Sequence, residues 1–268
     1  MRQLRQPRLA EIVAASLRDD ILSGRLKEGD LLPRQEHLFK EYRVSPPAVR
    51  EAMRILETEG LISVRRGNVG GAVVHLPTPE RTAQMISMVL QSRGTTPDDV
   101  SGALLNLEPV CARMCAARPD RRTEVVPALR AAVEAQQAHF DDVANWNHNA
   151  RRFHEAIVAT CGNETMIVVI GALEAIWSAH ESHVWDEAQP DDESPDSPMA
   201  SKTRRAALRA HEKLLAAIED GNEERAAAVS ASHLTLAQRS TLASSQHATI
   251  QASLVGGIDL STARQAVT

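Results

Sequence analysis

Apolar and polar positions divide the chain into two unlike stretches. Up to about residue 76, short apolar-periodic segments alternate with Gly, Pro and charge; beyond Leu76-Pro77-Thr78-Pro79 come long Ala- and Leu-rich segments. In the first stretch Leu9, Ile12, Val13, Leu17 and Ile21 recur at helical intervals and stop at Ser23-Gly24, which predicts a first helix. Leu38 and Phe39, within Gln35 to Tyr42, predict a short second one. A third runs from Ser45, suited to the N-cap, through Pro46 at the tolerated first position to Glu59-Gly60, with Val49, Met53 and Leu56 facing inward. Leu61 to Val64 and Ala72 to Val74 read as two strands, joined by the Gly-rich stretch Arg65-Arg66-Gly67-Asn68-Val69-Gly70-Gly71. Three helices followed by a hairpin is the order of a winged helix-turn-helix.

The second stretch shows helical apolar spacing in seven segments, about 80–93, 98–117, 123–138, 142–160, 164–186, 201–219 and 222–240. It predicts an all-α bundle, so the fold class is mainly α. The domains are placed at 1–76, 77–240 and a tail at 241–268. That Ser/Ala/Gln-rich, nearly uncharged tail is expected to fray, with Ile258 to Ala266 able to form a small docking helix. An acidic, proline-rich run from Gln189 to Pro198 reads as a solvated loop.

Composition sharpens this picture. With 43% hydrophobic and 24% charged residues, wholesale disorder is excluded. No apolar run approaches the ~20 residues that cross a bilayer, and no signal peptide is visible, so a cytoplasmic, membrane-free protein is expected. Cys111, Cys115 and Cys161 stand among apolar neighbours and read as reduced core residues. The net charge of -5 seems to disfavour nucleic acid. Residues 1–76, however, carry 13 Lys+Arg and 10 Asp+Glu, hence +3, which leaves -8 on the remainder.

A recognition helix needs short or polar side chains near its N-terminus, so that its backbone enters the major groove, and an Arg that can grip phosphate or guanine. Ser45, Pro46, Pro47, Ala48 and Arg50 answer to this. Arg65, Arg66 and glycines 67, 70 and 71 suit a wing that approaches the backbone closely and neutralises phosphates. The run Leu31-Leu32-Pro33, Val44-Ser45, Val49-Arg50-Glu51-Ala52-Met53, Leu56-Glu57, Glu59-Gly60-Leu61-Ile62, Arg66-Gly67 resembles the DNA-binding domain of GntR-type bacterial transcription regulators over about residues 8–75. The resemblance implies a dimer on a palindromic double-stranded operator. Pro46 departs from the arginine common at that place, which bears on the operator sequence.

In the body, Arg152-Phe153-His154-Glu155-Ala156-Ile157 with Gly162-Asn163, then Ala210-His211-Glu212-Lys213-Leu214-Leu215 with Gly221-Asn222, then His233, is similar to the FCD ligand-binding domain of the FadR-like branch. That resemblance implies His154, His211 and His233 on three helices converging on one divalent metal of the Zn or Ni type. The acidic ligand it implies one turn before His154 is replaced here by Ala150. Without metal, the same histidines would line a polar pocket. Effector-binding groups are expected among these histidines, His180 on the fifth helix of the body, and Arg113 and Arg151, with an organic acid or acyl compound as effector. Leu104, where an arginine is common, points to a ligand more apolar than a small dicarboxylate.

These features describe a metabolite-responsive transcription regulator, a repressor and not an enzyme. The alternative is a helical metal-dependent enzyme using His154, His211 and His233 with Glu155 or Glu212 as base.

Overall fold

The computed structural model describes residues 8–65, 71–187, 200–244 and 248–255. The chain forms two compact units, Met1–Thr78 and Pro79–Thr268. Among the described residues no helix is long and apolar enough to cross a membrane.

The first unit has the order α1 (Leu9–Leu22), α2 (Gln35–Tyr42), α3 (Pro46–Thr58), β1 (Ile62–Arg65) and β2 (Gly71–Val74). The strands pair antiparallel, Ile62 opposite Val74, and Leu31 adds a bridge to Val73. Val13, Leu17 and Ile21 pack with Leu38, Val49, Leu56, Ile62 and Val74 into one core. Leu9 and Ile12, which share the helical spacing, are exposed. Arg18 and Glu59 form a bidentate pair that ties α1 to the C-terminus of α3.

Ser45 occupies the N-cap position of α3, but its hydroxyl makes no capping bond. The cause is local: Pro46 and Pro47 carry no N–H, and the Ser45 carbonyl takes the Ala48 N–H at 3.0 Å.

The second unit is all helical: α4 (Pro79–Ser92), α5 (Pro97–Ala117), α6 (Arg121–Glu124), α7 (Val126–Ala138), α8 (Val143–Ala159), α9 (Glu164–Glu187), α10 (Ser201–Glu219) and α11 (Glu223–Ser244). The segment expected at 123–138 is divided into α6 and α7 at Val125, and Pro127 sits in the opening turn of α7. A proline is tolerated there because the N–H it lacks would have no intrahelical partner. Helix α5 is central, packed by α8, α9, α10 and α11. Cys111, Cys115 and Cys161 are free thiols buried in this core.

Two Gly-Asn turns fix the ends of the histidine-bearing helices. Gly162 and Gly221 adopt φ of +82° and +72° after α8 and α10, and the following Asn163 and Asn222 side chains accept the Met166 and Arg225 N–H groups that open α9 and α11. At Gly221 a Cβ would also lie 2.6 Å from the Arg121 guanidinium. Arg118 donates to the Thr160 carbonyl and Arg121 to that of Glu219, so two arginines satisfy orphan carbonyls at both helix ends.

The tail boundary expected at 240 falls inside α11, which continues to Ser244. Ile250 and Val255 return to the core, and the Ile250 N–H donates to Thr95 O. Burying two apolar side chains anchors this piece. The docking helix expected at 258–266 lies outside the described residues.

Candidate functional site

In the first unit, the exposed N-terminal end of α3 carries Ser45, Pro46, Pro47 and Arg50. Arg50 is exposed and has no ion-pair or hydrogen-bond partner among the described residues; on this helix it is Arg54 that faces Glu51, at 3.9 Å. Arg65 ends β1. Arg66 and Gly67 lie outside the described residues.

In the second unit, α8, α10 and α11 bring His154, His211 and His233 together, with a ligand nitrogen of each within 4.8 Å of the others. The Nε2 atoms of His211 and His233 are 2.8 Å apart. The outward nitrogens are engaged: His154 Nδ1 donates to Glu108 Oε1 at 2.8 Å and His211 Nδ1 donates to Gln136 Oε1 at 2.9 Å. Such partners fix the tautomer and leave Nε2 with a lone pair pointing inward. The Phe153 ring stacks on His211, centroids 4.2 Å apart, and meets His154 edge-on.

Burial, and then the neighbouring imidazoles, hold His211 well below its ordinary pKa and bring His233 down to about 3. Both are thus neutral, the form that ligates. Burial would also lower His154, but the charge and hydrogen bond of Glu108 prevail and raise it. Burial would raise Glu108; the charge and hydrogen bond of His154 hold it below the usual carboxylate range.

These residues fit a divalent cation. An ion about 2.0–2.1 Å from each of two imidazole nitrogens spaces them roughly 3–3.4 Å apart, a small opening of the present His211–His233 pair. Nitrogen donors backed by a carboxylate and an amide are the environment such an ion takes. The ion would act as a Lewis acid toward an anionic or carbonyl group of a bound molecule. Ala150 is buried one turn before His154, and its neighbour Asn149 turns its amide to the Asn145 carbonyl. Neither supplies a fourth ligand.

Beside the triad, α8, α9 and α11 enclose a cavity of about 40 Å³. Arg151 and His154 line it from α8, and Glu174, Trp177 and Glu181 do so from α9. The Arg151 guanidinium lies over Trp185, 5.6 Å from the ring centroid. Of the other four residues expected to bind an effector, His211 and His233 belong to the triad without lining this cavity, and two are elsewhere. Arg113 is at the surface, 3.7 Å from Glu223, because its position on α5 faces outward between the buried Ala112 and Cys115 positions. His180 is buried next to Trp177 but outside the cavity lining.

Helical spacing does not predict the acidic lining. Burial and then the Glu108 charge push Glu174 well above the carboxylate range, and burial raises Glu181 to about 7 against the pull of Arg151 and His154. The bases of the enzyme alternative are differently placed: Glu155 is exposed, and Glu212 accepts from Gln137 Nε2 at the surface.

Comparison with known proteins agrees with this division into two units. Residues 9–73 match the family "Bacterial regulatory proteins, gntR family", and residues 99–236 match the FCD domain. The regulator Mce2R of Mycobacterium tuberculosis is 41% identical over 59 residues, 22% of this chain and 25% of that one. The transcriptional repressor NanR of Klebsiella aerogenes is 26% identical over 175 residues, 64% of this chain and 66% of that one. The chain thus spans a quarter of the length of the first relative and about two thirds of the second. The solved structure of a Streptococcus agalactiae GntR protein shares the fold, with a TM-score of 0.66 at 20% identity over 86% of this chain and 99% of that one. With the head matched over α1 to β2 and the FCD match spanning half of the chain over the histidine-bearing bundle, the protein belongs to the GntR family of bacterial regulatory proteins and carries an FCD domain.

Proposed function

We propose that this protein is a DNA-binding transcription regulator, a repressor that binds a palindromic operator as a homodimer and responds to a small organic effector held beside the histidine triad. The carrying observation is Arg50, exposed and unpaired among the described residues at the start of α3, next to an uncapped Ser45 hydroxyl. A guanidinium that folding leaves unpartnered is available to phosphate or guanine. The +3 charge of residues 1–76 against -8 on the rest favours DNA contact through the head. Met85, Met88 and Val89 of α4 are exposed, as are Val168 and Val169 of α9, the helix that α4 packs against, which supports pairing of two bodies. Effector binding would shift the balance between head arrangements that match two half-sites and those that do not.

Selection of sites from a random duplex library tests this reading: two-fold symmetric sequences are expected, and absence of any enriched sequence counts against it. On the selected site, Arg65→Ala with Arg66→Ala is expected to lower the slope of log affinity against log salt by about 2, at roughly 0.9 for each phosphate that is no longer neutralised. An unchanged slope removes the wing from the interface.

The triad is proposed to hold one ion of the Zn or Ni type. About one equivalent is expected to remain with the protein after exhaustive dialysis and to be absent from His211→Ala. Elemental analysis reads both; equal metal in the two proteins refutes the site.

A further inference from the structure

We propose that the effector is a small amino acid, with its ammonium group received by Glu174, Glu181 and the Trp177 ring and its carboxylate turned toward Arg151. This rests on the reading of the cavity beside the triad as the effector site. Glu174, Trp177, Ser178 and Glu181 stand at i, i+3, i+4 and i+7 on α9 and so share the face that α9 presents to the cavity. Opposite them α8 contributes Arg151 and His154. Glu174 and Glu181 are only 5% and 7% exposed.

The hydrogen-bond state of these groups defines what they lack. Glu174 Oε1 and Arg151 Nη1 are both buried without a hydrogen-bond partner among the described residues. Glu181 accepts from Thr241 Oγ1 at 3.3 Å, and the Gln238 carbonyl is already taken by the Ser101 hydroxyl. The cavity therefore offers one carboxyl oxygen without a donor, a second carboxyl that already accepts from Thr241, and one guanidinium nitrogen without an acceptor.

Three ligand classes can be weighed against this wall. An apolar ligand leaves Glu174 Oε1 and Arg151 Nη1 unsatisfied, at the cost of buried polar atoms without partners. A purely anionic ligand gives Arg151 an acceptor but brings no donor to Glu174 Oε1. An ammonium brings three donors and a positive charge that the Trp177 ring also attracts. One molecule with both charges answers the whole wall. At about 40 Å³, the cavity has room for about three waters, at 10–15 Å³ each, so the polar ends lie close together, as in an α-amino acid.

The test is calorimetric titration of the full-length protein with the common L-amino acids, each beside its 2-hydroxy acid and unsubstituted acid, as alanine beside lactate and propionate. At least one amino acid is expected to bind roughly tenfold or more tightly than both of its counterparts, the ratio that a buried charge-assisted contact provides. Glu181→Gln and Glu174→Gln, which keep the side-chain shape, are each expected to reduce that ratio, with circular dichroism confirming the fold; either variant alone suffices if the other does not fold. Equal or tighter binding of the amine-free counterparts overturns the proposal, as does binding of no amino acid at all. Operator affinity measured in the same samples separates the two readings. Operator release by an amine-free acid keeps the regulator and discards the amino acid, whereas an amino acid that binds without altering operator affinity keeps the ligand and discards its regulatory role.

Discussion

Phe153→Ala is expected to destabilise the helical unit by about 3–5 kcal/mol and to weaken its hold on metal at the same time. Phe153 is fully buried, and removal of a buried aromatic ring forfeits its transfer energy and leaves a cavity that close-packed neighbours fill only in part. The loss should be at the upper end because the ring lies at the meeting of α8 with α10, stacked on His211 at 4.2 Å and edge-on to His154 at 6.0 Å. That packing holds two imidazoles in the orientation that points Nε2 inward. Phe153→Leu separates the roles: it restores most of the volume and should recover much of the stability, while a branched alkyl group offers no flat surface for His211. Denaturant titration followed by a probe in the helical unit, paired with metal titration of each variant, reads both effects. A loss under about 1 kcal/mol for Phe153→Ala would mean that the bundle collapses around the gap, and unaltered metal affinity would detach the ring from the triad.

The same residue illustrates where the sequence is informative. Apolar spacing of three and four places Phe153 and Ile157 inward on α8, and similar spacing outlines the other long helices, because burial on one face is what makes those helices stable. The head is legible for a further reason: Pro46, the Gly-rich strand connection and the apolar stripe of α3 are each local devices. What spacing does not convey is convergence. Glu108, Gln136, Glu174 and Glu181 come from three helices far apart in sequence, and a rule that assigns polar side chains to solvent places them all outside. Their signal is a charged residue within an apolar stripe, as at Glu174 and Glu181 on a helix that is apolar nearly all round. Arg113 shows the reverse error: a cation near the right helices is set at the surface by a rotation of one residue. The division at Val125 escapes periodicity too, since Pro127 changes the hydrogen bonding while the apolar repeat continues through it.

Arg50→Ala is expected to weaken operator binding by about 1–3 kcal/mol, a factor of roughly five to more than a hundred, while changing stability by no more than about 0.5 kcal/mol. The two magnitudes belong together. Because Arg50 is exposed and without a partner among the described residues, the fold loses little when the side chain is cut back, so a large loss of affinity must arise at the DNA. Gel-shift titration on the selected site measures that loss, and thermal unfolding of the same preparation measures the stability change. Salt and sequence then identify the contact. A phosphate contact predicts a uniform loss across operator variants and a salt slope lower by about one; a bidentate contact to guanine predicts relaxed discrimination at a single base pair with little change in slope. Unchanged affinity would remove α3 as the reading helix. Pro46 makes the guanine outcome the more discriminating one for this chain: with two prolines and a serine ahead of it, Arg50 is the first side chain of α3 long enough to carry two parallel donors to a base edge.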